Sequence, residues 1–159
     1  MTTVPAELVG VAAAFPDVEF DSVLGDTVAR ASRDDVVGLL EAVYDAGYEM
    51  FIDLCAVDYL SRDPRFDVAI NLVSVSQSLR LRVLVGIPGT DSKMPTVSTV
   101  YPGSNFYERE AFDLFGIEFS GHPDMTRILL PDDWEGHPLR KDVSVGSVPV
   151  QFKESNKAR

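Results

Sequence analysis

The chain has 159 residues, enough for one hydrophobic core and too few for two, and its 45% apolar and 25% charged residues exclude general disorder. A net charge of −11 argues against nucleic-acid binding, which needs a concentrated basic face, and disfavours an acidic partner. The charge is uneven: residues 1–75 hold 14 acids and 4 bases, residues 137–159 hold 2 acids and 5 bases, so an acidic body leads into a basic tail with scope for docking.

Cys55 is the single cysteine, which excludes an internal disulfide, suits a reducing compartment and cannot by itself hold an iron-sulfur cluster. The N-terminus lacks the basic and apolar regions of a secretory signal, and no apolar run approaches the ~18 residues of a membrane span, so a soluble, cytosolic chain is expected.

In chain order, Pro5 to Ala14 reads as a short helix ended by Phe15-Pro16. Val18 to Asp21 and Thr27 to Ala31 flank Gly25-Asp26 as a hairpin. Ser32 is placed to cap a helix on which Val36, Leu39, Leu40, Val43 and Tyr44 share a face, with Gly47 closing it. Met50 to Val57, Phe66 to Ser74 and Leu79 to Val85 read as three consecutive strands joined by short turns. The fold class expected is α+β: a single domain with a mainly antiparallel sheet, helices packed on one face, and an extended C-terminal segment. The boundary between core and segment is expected at 117/118. Pro95 to Tyr101 fits either a helical turn or a short strand, and Pro102-Gly103-Ser104 breaks the chain.

Asn105 to Asp142 carries the only Trp and both histidines. Asn105 and Glu108 stand in capping-box register, predicting a helix that starts there and ends at Gly116 with Ile117 as its hydrophobic follower. Glu110 and Asp113 are helical neighbours whose like charges call for a cation between them, with Arg127, Arg140 and Lys141 as candidates. Glu108 is expected to pair with a basic group too.

After Gly116 regular structure is expected to stop. Gly121-His122-Pro123 and Gly136-His137-Pro138 repeat one turn chemistry, yet Phe119, Met125, Ile128, Leu129, Leu130, Trp134 and Leu139 are too apolar for a solvated loop. Such a segment needs another surface, its own sheet or a second protein. Two chemical readings stand beside this one. His122, Asp124, Asp132, Asp133 and His137 could assemble a metal site for an enzyme. His122-Pro123-Asp124 also spells the tripeptide of J-domain co-chaperones, though the helix before it is acidic rather than basic. Gly-rich nucleotide loops, a phosphate loop, Cys-x-x-Cys and a nucleophile elbow are all missing, so the residues favour an interaction or scaffold protein.

Glu108-Arg109-Glu110, Asp113-Leu114-Phe115-Gly116, His122-Pro123, Arg127-Ile128-Leu129 and Trp134-Glu135-Gly136-His137-Pro138-Leu139-Arg140-Lys141-Asp142 resemble the 30-kilodalton-type subunit family of respiratory complex I, the proton-pumping NADH:quinone oxidoreductase. The resemblance is specific over residues 105–142, with one departure, Thr126 at a position usually basic. It implies a non-catalytic scaffold subunit of the peripheral arm, on the cytoplasmic face of the membrane. That subunit would pack against the quinone-cavity subunit and the terminal iron-sulfur subunits, with FMN and the clusters held by other chains and no cofactor or metal in this one. Glu108, Arg109, Glu110, Asp113, His122, Pro123, Arg127, Trp134, Gly136, His137, Pro138, Arg140, Lys141 and Asp142 are then the motif residues, and 119–142 the main interface. The equivalent subunit of a membrane-bound hydrogenase or other-donor quinone reductase is the alternative.

Overall fold

The structure, a computed structural model, describes residues 4–143. Most of the basic tail, with Lys153, Lys157 and Arg159, lies outside the described residues.

A short 3-10 turn at Ala6–Leu8 runs into helix α1, Val9–Ala14. The hairpin follows as β1 (Glu19–Val23) and β2 (Asp26–Ala31). Its two-residue loop is Leu24-Gly25, both at positive φ, one position earlier than expected; this conformation matches the right-handed twist of the flanking strands. Helix α2 spans Val36–Asp45 with Val36, Leu39, Leu40 and Val43 buried. It starts later than the Ser32 signal, because Ser32 caps a preceding turn by accepting the Asp35 N–H at 3.2 Å. At its other end Gly47, at φ +98°, donates to the Tyr44 carbonyl, while the Tyr48 N–H reaches Val43. These paired bonds form the Schellman closure that the glycine predicts.

Strands β3 (Met50–Asp58), β4 (Phe66–Ser74) and β5 (Leu79–Ile87) complete a five-stranded sheet in the order β1-β2-β5-β4-β3. All pairings are antiparallel except β2 with β5, whose strands are linked through α2, β3 and β4. The strand period of two puts Phe66, Val68, Ile70 and Leu72 on one buried face beside Leu81, Val83, Val85 and Ile87. The helices cover that face, and α2 supplies the opposing apolar layer. On the reverse face Asn71 Nδ2 donates to Asp53 Oδ1 at 2.6 Å, and Arg82 Nε to Asn71 Oδ1 at 2.8 Å.

Helix α3, Asn105–Phe115, lies along β3, with Tyr107 edge-on to Phe51 at 5.4 Å between ring centroids. The ambiguous 95–101 stretch resolves into both alternatives: Lys93–Pro95 is a short strand, β6, and Val97 to Tyr101 is a turn. Regular structure does not stop at Gly116, a correction to the expectation. Glu118–Ser120 form β7 and pair parallel with β6, burying Phe119 in the core rather than leaving it to an interface. A three-residue strand with one inward side chain is too short to leave a period in the sequence.

Candidate functional site: the α3 junction

Helix α3 holds two buried carboxylates whose surroundings differ. Its N-cap is Ser104, one residue before the expected Asn105, because a 3-10 turn at Pro102–Ser104 leads directly into it. The capping box is therefore not formed. Glu108 is fully buried and accepts from Thr96 Oγ1 at 2.6 Å, the Val97 N–H at 2.9 Å and Ser104 Oγ at 2.8 Å. These neutral donors, not the basic group expected, compensate its desolvation.

Asp113, also fully buried, has the cation. Arg127 Nη1 donates to Oδ1 at 2.6 Å, and the N–H groups of Ile128, Leu129 and Leu130 converge on Oδ2 at 3.1, 2.8 and 3.0 Å. Burial alone would push this carboxyl up; the Leu130 and Leu129 N–H groups, the Arg127 guanidinium and the Ile128 N–H outweigh it and hold the group below the usual carboxylate range. Glu110, expected to share that cation, is exposed and forms no ion pair among the described residues.

The last carbonyls of a helix have no partner within it. Here the C-terminal segment supplies them. The Asp113 carbonyl accepts from Arg127 Nη1 at 3.2 Å and His137 Nδ1 at 3.0 Å, Leu114 from the Leu139 N–H at 3.1 Å, and Phe115 from Arg140 Nε at 2.6 Å. Arg127 and Arg140 also bring positive charge to the negative end of the helix dipole. Gly116, the left-handed cap at φ +71°, lies beneath His137: a Cβ there would sit 2.5 Å from the imidazole. Arg127 Nη2 then reaches the Gly136 carbonyl at 3.1 Å, joining both parts of the segment.

A second clamp lies where β3 ends. Asp58, 2% exposed, takes Arg65 Nε and Nη2 at 2.8 and 2.7 Å, and the Lys141 N–H at 2.8 Å. The Arg65 guanidinium, helped by the Lys141 N–H, holds the Asp58 carboxyl low against burial. Arg65 Nη1 also pairs with Asp142 at 2.9 Å. Asp58 and Arg65 are the residues that sequence reasoning missed; Lys141 lies 83 positions from Asp58, and no local pattern announces such a contact.

At the start of the helix, the Asp124 N–H donates to His122 Nδ1 at 3.1 Å, which leaves Nε2 to donate to the Asn105 carbonyl at 3.2 Å. Arg109 bonds the Thr126 carbonyl at 3.0 Å and hydroxyl at 2.7 Å, so the residue that departs from the usual basic position is engaged. Pro123 is exposed, while Trp134 and Pro138 are half-buried. His122 and His137 thus touch residues eight apart on α3, about 12 Å along its axis. They do not form a shared metal site, and among the described residues no group of three or more His, Cys, Asp or Glu is gathered to hold one. A strand, not a helix, precedes His122-Pro123-Asp124, unlike the J-domain arrangement.

The arrangement can grip and present; it gathers no nucleophile and base around a reacting position. Residues 28–148 match the family described as respiratory-chain NADH dehydrogenase, 30 Kd subunit. The protein is 42% identical over 145 residues to the C subunit of NADH-quinone oxidoreductase from Herpetosiphon aurantiacus, a match spanning 89% of this sequence and 85% of that one. It is 45% identical over 133 residues to the C subunit of the same enzyme from Geobacter sulfurreducens, spanning 82% and 81%. Among solved structures, a trypsin-resistant fragment of Nqo5 superposes with a TM-score of 0.67 at 32% identity, covering 74% of this chain and 97% of the fragment. A chain of the membrane-bound sulfane sulfur reductase, an archaeal respiratory membrane complex, shares the fold with a TM-score of 0.77 at 23% identity, covering 94% and 95%. The sheet, the α3 junction and these likenesses have one reading: the chain belongs to the 30 Kd subunit family of the respiratory-chain NADH dehydrogenase.

Proposed function

We propose that the chain is a non-catalytic scaffold subunit of the peripheral arm of an NADH:quinone oxidoreductase. It contributes to electron transfer from NADH to quinone by holding redox subunits in register, with FMN and the iron-sulfur clusters carried by other chains. Its partners are the quinone-cavity subunit and the terminal iron-sulfur subunits, at the cytoplasmic face of the membrane. Among the described residues no helix is long and apolar enough to cross a membrane, which fits attachment through other subunits.

The observation that carries this reading is the construction of residues 121–142. Asp113, Asp58 and the α3 carbonyls lock the backbone, while Ile128, Leu129 and Leu139 remain 37%, 57% and 50% exposed. A segment ordered by polar bonds at its inner side and apolar at its outer side is pre-organised for docking, because the entropy of ordering it is spent before the partner arrives. The division at 117/118 is read in the same way, as core against docking segment, with β7 as the tether between them. The fold shared with the sulfane sulfur reductase supports a second reading, the equivalent subunit of a complex with another electron donor.

Purification of the tagged chain from native membranes tests both. Co-recovery of NADH-oxidising, iron-sulfur-containing partners is expected, with loss of those partners in a Leu129→Glu, Leu139→Glu variant. Recovery of the chain alone overturns the proposal, and partners oxidising a different donor select the second reading.

A further inference from the structure

The outer apolar surface of residues 121–142 continues onto helix α3. Phe106 is 64% exposed there, although the helix has a buried face that could have taken it. It stands seven positions before Asp113, so the two project from nearly the same side of the helix, about 10 Å apart along its axis. At the Asp113 end that side is covered by the backbone of Ile128, Leu129 and Leu130, whose N–H groups meet the carboxylate, while the Ile128 and Leu129 side chains stay exposed. Between these ends Arg109 donates to the Thr126 carbonyl and hydroxyl and sets its guanidinium 5.7 Å from the centre of the Phe106 ring. One cation thus ties the segment to the helix and steadies the ring. An aromatic side chain held in this way and still open to water loses little freedom when a partner covers it.

The polar neighbour of this ring is Glu110, four positions on and hence beside it on the helix surface. Glu110 is exposed and forms no ion pair among the described residues. Its surroundings carry a second acid. Burial pushes the Cys55 thiol up, with the Asp53 and Glu110 carboxylates adding to the rise and Arg82 opposing it. A second copy meeting the same face across a two-fold axis would set Glu110 against its own equivalent, which is repulsive. A basic group from a different chain is attracted instead.

We propose that Phe106 and Glu110 are an anchoring point on α3 for the neighbouring subunit that covers Ile128 and Leu129. The Phe106 ring enters an apolar pocket of that subunit, and a lysine or arginine at the pocket rim pairs with Glu110. The buried ring supplies affinity, and the ion pair at its edge selects the partner. The inference rests on the subunit reading above.

Hydroxyl-radical footprinting of the full chain tests it, comparing the chain in its purified native complex with the same chain released from it. The Phe106 ring is expected to be oxidised at least about fivefold more slowly in the complex, because an anchoring side chain is shut off from water. Phe106→Ala and Glu110→Lys are each expected to lower incorporation into the complex about tenfold, the first by loss of the anchor and the second by like-charge repulsion. The midpoint of thermal unfolding of the released chain should stay unchanged in both, since both residues are exposed. Equal oxidation in the two states, or undiminished incorporation of either variant, overturns the inference and leaves the subunit reading standing provided the parent chain co-purifies. Protection of Phe106 that is already present in the released chain overturns it too: lost on dilution it marks a second copy, and lost on removal of residues 144–159 it marks the chain's own tail. Failure of the parent chain to co-purify at all removes both.

Discussion

The two ends of α3 solve the same problem, a buried carboxylate, by opposite means. At the first end Glu108 is satisfied by neutral donors from residues 96–104, just upstream. At the last end Asp113 is satisfied by a guanidinium and three N–H groups from residues 127–130, downstream. The first arrangement joins a turn to the core that is already there. The second fastens a separate stretch of chain, so the same residue chemistry serves cohesion at one end and attachment at the other.

Asp113→Ala should break this contrast most severely. It leaves the Arg127 guanidinium without its anion and three N–H groups without an acceptor, and removing one member of such a buried pair costs about 3–5 kcal/mol. Urea unfolding measures the loss, and limited proteolysis should find cleavage within 121–143 before the sheet is cut.

Acid should act on the same end. Asp113, Asp58 and Asp142 are all held below their ordinary range, so their contribution is complete above the unfolded carboxylate value of about 4. It is lost as pH falls through the lower folded values. Tryptophan fluorescence from Trp134 should therefore report loosening of the segment in an acid titration, and Asp113→Ala should remove part of that transition.

Gly116→Ala should cost about 2–4 kcal/mol, combining a non-glycine residue at φ +71° with a Cβ 2.5 Å from the His137 ring. Adding His137→Ala should recover the steric part but not the backbone part, a split that a double-mutant cycle in thermal unfolding resolves. Glu108→Gln should be the mildest, about 1–2 kcal/mol, because an amide keeps one acceptor, for the Val97 N–H and Ser104, while turning its NH2 toward Thr96, whose hydroxyl can accept. Its proteolysis pattern within 121–143 should remain that of the parent chain, which sharpens the distinction between the two ends.

What was legible in the sequence follows the same division. Gly47 and Gly116 announced the ends of α2 and α3, because a left-handed cap is a local requirement with few residues able to meet it. The three long strands and the buried face of α2 were also local patterns. The start of α3 was misread because Asn105 and Glu108 imitate a capping box, while the real cap, Ser104, is set by the preceding 3-10 turn and Glu108 faces residues 11 and 12 positions away. Arg127 was among the cations expected near Asp113, but on the ground that Glu110 and Asp113 repel as helical neighbours; the pairing forms because Asp113 is buried, while exposed Glu110 has no ion pair among the described residues. Nothing near Asp58 in the chain indicated Lys141 or Asp142, since such contacts depend on where two distant pieces come to lie.

The carbonyls that end α3 bear on the order in which the protein is made. Their donors, from Arg127 to Arg140, follow them by 14 to 25 positions. When residues 117–126 are the last to have left the ribosome, the helix has its apolar face and its glycine but a bare terminus and an unpaired Asp113. Its last turn is closed only when Arg140 has emerged, so the sheet can settle well before residues 127–142 are available. On the docking role proposed for residues 127–142, a nascent chain stalled in that interval presents the sheet without its attachment, which ties partner binding to completed synthesis of the segment.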